Sequence, residues 1–283
     1  MTLFDIANNS KTPQIAMSPV AIPADKKAFV FNVPQSVSLM TSAIIDDMKK
    51  NGIKTAAYIG YADGWGDLNW NIFKEMAPKA GIKIVASERY NRTDPSVIAQ
   101  VLKVVAANPD TVFIGASATP AVLPHLTLRD QGFTGLIYQT HGTVAQAFLD
   151  AGGKAVEAAR MPTGPMVAVD DLPDSNPIKQ VSKDFIQKYQ AKWGKGPVSP
   201  FAGYAWDGML ILDAAAGKAL KSGAVPGTEA FRVALRDAMQ SGSDVVGTNG
   251  VYRFTADDHY GLDERARVMI TVKNGKFRLL DQN

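Results

Sequence analysis

Between residues 54 and 137 the chain repeats one pattern, in which a short apolar run alternates with a segment whose apolar residues recur at helical spacing. This alternation constrains the fold more than any other feature. Parallel strands covered by helices on both faces read as near-continuous apolar runs separated by amphipathic helices. KTAAYIGY (54–61) reads as a buried strand. Leu68, Ile72, Phe73 and Met76 then recur at helical spacing, and Ala80-Gly81 supplies a stop before the strand IKIVASERY. The cycle continues with Asp94-Pro95 opening a helix through Val97, Ile98, Val101, Leu102 and Val105, then the strand TVFIGAS, a helix from Pro120 and the strand GLIYQT. Residues 36–50 are also amphipathic, with Leu39, Ile44, Ile45 and Met48 on one side. Ligands of open doubly wound sheets bind beyond the carboxyl ends of the strands, so the loops after Tyr58-Ile59, Ile114 and Tyr138 are expected to line any site.

After Met161 the pattern changes. PTGPM and LPDSNP are too rich in proline for a central strand or a helix interior and read as a crossover between lobes. Three helices are expected over residues 176–193, 201–221 and 228–240, with Gly194, Gly223 and Gly242 near their ends. At the end of the chain, Asn274-Gly275 between two β-rich runs predicts a hairpin.

With 283 residues, 46% of them hydrophobic and 20% charged, the chain can support two modest cores. No apolar stretch approaches the roughly 20 residues that a membrane-spanning helix needs. The net charge of +3 comes from 30 basic and 27 acidic residues without Lys/Arg clusters, which argues against a nucleic-acid partner. There is no cysteine, hence neither a disulfide framework nor a thiolate metal site. The N-terminal stretch MTLFDIANNS has no basic start followed by an apolar run, so no secretory signal is read there.

The chemistry of catalysis has no carrier. GYADGWGD lacks the glycine spacing that admits a dinucleotide pyrophosphate, and neither a phosphate-binding loop nor a nucleophile elbow occurs. His125, His141 and His259 are isolated, which excludes a paired-histidine zinc motif. Asp46-Asp47, Asp170-Asp171 and Asp257-Asp258 read as solvated charge rather than as acid/base dyads. No enzyme activity, metal or cofactor is expected.

KTPQIAMSP, FVFNVPQS, YADGWGD and FAGYAWDGMLILDAA, in this order and spacing, resemble the leucine/isoleucine/valine-binding family of ABC-transporter substrate-binding proteins, the type I periplasmic binding fold. The likeness covers essentially the whole chain. It implies an α/β protein of two doubly wound, Rossmann-like lobes joined by a three-strand hinge, closing on one small molecule in the cleft. Residues 1–32 plus 165–246 are expected to form the first lobe and residues 33–164 plus 247–283 the second. Family members ordinarily begin with a strand-helix-strand-helix-strand section ahead of KTPQIAMSP. The first lobe is therefore expected to be incomplete, with apolar surface and a strand edge exposed.

The resemblance also implies which residues meet the ligand. Ser18, in the turn after QIAM, would offer a hydroxyl to a ligand carboxylate, and Val20 stands where amino-acid binders commonly have threonine. Trp65 would form an aromatic wall. Gly115, Ala116 and Ser117 end a strand, where small residues let a ligand reach backbone amides. Tyr204 and Asp207 would lie near the start of a helix of the other lobe, with Asp207 favoured there by the helix dipole. His141 lies where branched-chain amino-acid binders carry an acid that pairs with the α-ammonium, and histidine cannot supply that fixed negative charge. The expected ligand is therefore a small carboxylate, either an aromatic or aliphatic acid or a branched-chain amino acid with Asp207 as ammonium partner. The implied partners are ABC permease subunits and the implied location is the periplasm. The ligand-sensing domain of a transcription regulator or receptor, with the same bilobal fold, is the alternative.

Overall fold

The computed structural model describes residues 2–280. In chain order the elements are α1 (Thr2–Asn9), β1 (Gln14–Ala16), β2 (Val30–Asn32), α2 (Val37–Lys50), β3 (Thr55–Tyr61), α3 (Gly64–Lys79), β4 (Lys83–Tyr90), α4 (Ile98–Ala106), β5 (Thr111–Gly115), α5 (Val122–Asp130) and β6 (Leu136–Gln139). They continue with α6 (Gln146–Gly152), β7 (Arg160–Thr163), α7 (Pro177–Trp193), α8 (Pro200–Lys221), α9 (Glu229–Met239), β8 (Val245–Val246), β9 (Val251–Tyr252), β10 (Val268–Lys273) and β11 (Lys276–Leu279). The chain divides into two units, one of Met1–Ser36 with Gly164–Ala266 and one of Val37–Thr163 with Arg267–Asn283.

The second of these carries a seven-stranded sheet in the order β11-β10-β7-β6-β5-β3-β4, parallel from β7 to β4 and antiparallel at β10 and β11. Its core follows from the two-residue period of a strand. In β3, Ala57, Ile59 and Tyr61 point into a cluster with Val101 and Val104 of α4 and Leu128 of α5. The intervening Ala56 and Tyr58 point the other way, against Ile44, Ile45 and Met48 of α2 and Phe73 and Ala77 of α3. One strand thus feeds two cores, as the apolar run KTAAYIGY requires. At the β10–β11 turn, Asn274 and Gly275 both take positive φ (54° and 67°), the backbone that a two-residue hairpin demands.

Two local expectations need correction. Asp94-Pro95 does not open α4, whose first residue is Ile98; the Asp94 carboxylate instead accepts the Asn91 amide (2.7 Å) and closes a turn. Asp47 is not solvated. It is buried and accepts the Tyr138 hydroxyl (2.6 Å) and Arg160 Nη1 (2.7 Å), tying α2 to β6 and β7.

The other unit holds a parallel pair, β1 with β2, and an antiparallel pair, β8 with β9. Helix α8 supplies Tyr204, Ile211 and Ala215 to a cluster with Phe31, Val33, Met239, Tyr252 and Phe254. This packing moves the expected lobe boundaries. Val33 belongs to that cluster, and Gln35 accepts the Tyr204 hydroxyl (2.6 Å) while donating to the carbonyls of Asn249 and Ala266, so residues 33–36 join this unit. Residues 247–266, expected in the second lobe, join it as well, because Tyr252 and Phe254 fill its core and Thr248 and Asn249 bind Asp207.

Asp207 is the organiser of that segment. Its carboxylate is fully buried and accepts the amides of Thr248 (2.6 Å) and Asn249 (3.0 Å) and the Tyr252 hydroxyl (2.9 Å). Removing an acceptor from buried donors leaves each unsatisfied. Asp207→Ala is expected to lower the stability by about 2–4 kcal/mol in urea denaturation. A variant as stable as the parent would show that the turn holds without it.

Candidate functional site

The loops that follow β3, β5 and β6 stand at the carboxyl ends of parallel strands in the unit of Val37–Thr163, and their conformations are set by one buried side chain. Tyr58 is fully buried, and its hydroxyl donates to the Gly66 carbonyl (2.8 Å). A Cβ on Gly60 or on Gly115 would fall on this Tyr58 ring and hydroxyl, and one on Gly66 would strike the Tyr61 backbone. The three glycines are therefore demanded by close approach, and Gly115 belongs to this floor. Burial raises the Tyr58 phenol well above its ordinary range, so it remains a donor at any physiological pH.

Above that floor the residues of the three loops converge. Asp63 caps α3, its Oδ1 accepting the amides of Trp65 (2.9 Å) and Gly66 (3.1 Å). This places the half-buried Trp65, whose Nε1 donates to the Ala116 carbonyl (3.2 Å). The Thr140 hydroxyl donates to the same carbonyl (2.5 Å) and accepts the Gly142 amide (3.1 Å). The Gly142 carbonyl in turn accepts the Ala118 amide (2.9 Å). Ala116 is thus buried and its carbonyl doubly engaged, whereas Ser117 is partly exposed. His141 is 4% exposed and meets Trp65 edge to face, with ring centroids 5.5 Å apart. Burial holds its imidazole at a pKa of about 4, and Nε2 has no hydrogen-bond partner among the described residues.

Trp65, Ala116, Ser117 and His141 thus meet at one place, with Gly115 beneath them. The other four expected site residues lie in the unit of Met1–Ser36 and Gly164–Ala266. Ser18 is exposed just past β1. Val20 packs against Phe4, Phe29 and Val30, and its carbonyl accepts the Tyr260 hydroxyl (2.7 Å). Tyr204 and Asp207 are core residues. Helix α8 begins at Pro200 with Ser199 as its cap, so Asp207 stands in its third turn rather than near its N-terminus. The hydrogen bonds at the Asp207 carboxylate come from its own unit, and the side chain is fully buried within it.

Asp63, Arg92, Thr140 and Gly142 also belong to the site and were not singled out by sequence reasoning. Arg92 Nε pairs with Asp63 Oδ2 (2.6 Å), its Nη1 donates to Ser117 Oγ (3.3 Å), and its guanidinium lies 4.1 Å from the Tyr61 ring centroid. Burial works against the charge on Asp63, but the Arg92 hydrogen bond and charge and the two amides outweigh it and hold the carboxyl below its usual range. The signal for Asp63 was legible, as an Asp before Gly-Trp-Gly at a helix start. Arg92, beyond the end of β4, carried none.

Two outcomes follow from this geometry. Gly115→Ala is expected to cost about 1–3 kcal/mol by overpacking against Tyr58, measured by thermal and urea denaturation. An unchanged midpoint would mean that the floor yields. For pH, the His141 imidazole titrates near 4 when folded and near its ordinary 6.5 when unfolded. The unfolded state then binds the proton first, so stability is full above about pH 6.5 and is lost as the pH falls toward 4. At pH 5 this loss is about 2 kcal/mol, and His141→Gln is expected to reduce the drop in Tm between pH 7.5 and pH 5. An equal drop in both proteins would exclude His141 as its source.

Residues 2–276 match the model of the periplasmic binding protein family. The chain is similar in structure to an extracellular ligand-binding receptor from Rhodopseudomonas palustris, with a TM-score of 0.94 and 41% identity over 99% of this chain and 77% of that one. It is equally similar to an extracellular ligand-binding receptor from Rhodopseudomonas palustris HaA2, at a TM-score of 0.94, 41% identity, and coverage of 99% and 78%. At 20% identity the likeness is one of fold, as with an ABC transporter solute binding protein from R. palustris in complex with benzoate (TM-score 0.78, coverage 99% and 73%). No curated protein matches the chain. The family and these neighbours are ligand-binding proteins, and the chain belongs to the periplasmic binding protein family.

Proposed function

We propose that the chain is the substrate-binding component of an ABC-type uptake system, located in the periplasm and delivering a small carboxylate to permease subunits. The ligand is an aromatic or branched aliphatic acid in preference to an amino acid. The observation that carries this reading is the state of His141. Buried against Trp65 and held uncharged at neutral pH, it offers no negative charge to an α-ammonium group. Asp207 is fully buried and hydrogen-bonded by donors of its own unit. An ammonium group brought out of water without a partner costs several kcal/mol, which disfavours amino acids relative to simple acids. The benzoate held by the R. palustris solute binding protein is consistent with a fold that accepts such acids.

The test is a calorimetric and thermal-shift panel of benzoate, isovalerate and leucine at pH 7.5. Benzoate or isovalerate is expected to bind at least about tenfold more tightly than leucine, a difference of about 1.4 kcal/mol. Tight leucine binding with no response to either acid would overturn the ligand class.

A further inference from the structure

Arg92 presents a hydrogen-bond donor with no described acceptor, and it does so beside the Ser117 hydroxyl. Arg92 Nε is committed to Asp63 and Nη1 to Ser117 Oγ, but no described residue accepts from Nη2. Ser117 Oγ receives the Nη1 hydrogen and also hydrogen-bonds the Tyr61 phenol oxygen, so its hydroxyl is held beside the guanidinium. The Arg92 side chain remains 45% exposed. The neighbouring Arg89 is a contrast, since it donates to the Tyr61 carbonyl (2.9 Å), pairs with Asp67 (3.1 Å) and lies over the Tyr58 ring.

The guanidinium of Arg92 is also held in place before any ligand arrives. Asp63 grips Nε while its other oxygen caps α3, and the Tyr61 ring supports the planar face. A guanidinium fixed at Nε and on one face keeps its outer N–H bonds in a set direction, which lowers the entropy lost on binding an anion. Gly142 packs closely against both Ser117 and Trp65, which keeps the hydroxyl in the same loop cluster. An outer guanidinium N–H beside a hydroxyl suits a single planar anion, with one carboxylate oxygen on each group.

We infer that Arg92, together with the Ser117 hydroxyl, is the anchor for the ligand's carboxylate and thereby the residue that selects acids over their neutral counterparts. The inference rests on the carboxylate reading given above and adds the group that recognises it. A positive charge here also disfavours any ligand that presents an ammonium group to the same loops.

The experiment compares the full chain with Arg92→Gln, Arg92→Lys and Ser117→Ala by calorimetry, using benzoate and isovalerate and their uncharged counterparts benzamide and isovaleramide. Arg92→Gln is expected to weaken the acids by roughly 30-fold, as for loss of a charge-assisted pair, and to leave the amides as they bind the parent. Arg92→Lys keeps the charge without the fork and is expected to lose roughly 5- to 10-fold. Ser117→Ala, which leaves the ion pair with Asp63 intact, is expected to lose roughly 5-fold and decides the matter if Arg92→Gln does not fold. Acid binding unchanged in Arg92→Gln, or in Ser117→Ala should that be the only folded variant, would overturn the anchor while leaving the carboxylate class standing. A parent that binds benzamide as well as benzoate, or binds neither acid, would overturn both.

Discussion

A parallel strand buried on both faces has no outlet to water, so each of its side chains must be received by one of two cores and its backbone by a neighbour on each side. β3 is that strand here, bonded to β4 and β5 with every residue from Ala56 to Tyr61 buried. Its alternation places Ala57, Ile59 and Tyr61 against α4 and α5 and Ala56 and Tyr58 against α2 and α3. The rest of that unit is arranged around satisfying it. Helices cover both faces because both faces are apolar, and the strand ends are free to carry loops because the middle is not.

The same strand reaches into the site through Tyr58. A phenol in the middle of a dry core needs an acceptor, and the Gly66 carbonyl provides one only because Gly60, Gly66 and Gly115 let backbone and ring come together. The loops after β3, β5 and β6 are thus seated on packing rather than on their own flexibility. Trp65, Ser117 and His141 then stand at set positions, and Arg92 is braced by Asp63 and Tyr61. Preorganisation of this kind is what a binding protein needs, since side chains already ordered lose little entropy when a ligand arrives.

In the other unit a single carboxylate does comparable work. Asp207, in the interior of α8, gathers the amides of Thr248 and Asn249 and the hydroxyl of Tyr252 into the core. Burial raises the Asp207 carboxyl above its usual range, and the three donors within 3.0 Å offset that cost in part. The consequence reaches the division of the chain, because residues 247–266 follow Asp207, Phe31 and Tyr204 rather than the sheet to which the chain returns at β10.

The α/β class, the order of strands and helices from residue 37 to residue 139 and the terminal hairpin were all legible in the sequence. Each depends on local periodicity or on a turn dipeptide, and both act over a few residues. The cluster of Trp65, Ala116, Ser117 and His141 was legible too, since strands of one parallel sheet end on one side and their loops must meet there. What only the tertiary structure decided were contacts between residues far apart in sequence. Asp47 looked like a solvated helix acid until Tyr138 and Arg160 closed over it, and Asp207, near a helix start by its sequence, is buried in the interior of α8 against the turn at Thr248. Arg92 lies outside any regular element and carries no pattern, so its pairing with Asp63 and Ser117 emerged only when β3, β4 and β5 were brought into register. Periodicity says which side of an element is buried; the partner of a charge is settled by which distant donor the fold sets beside it.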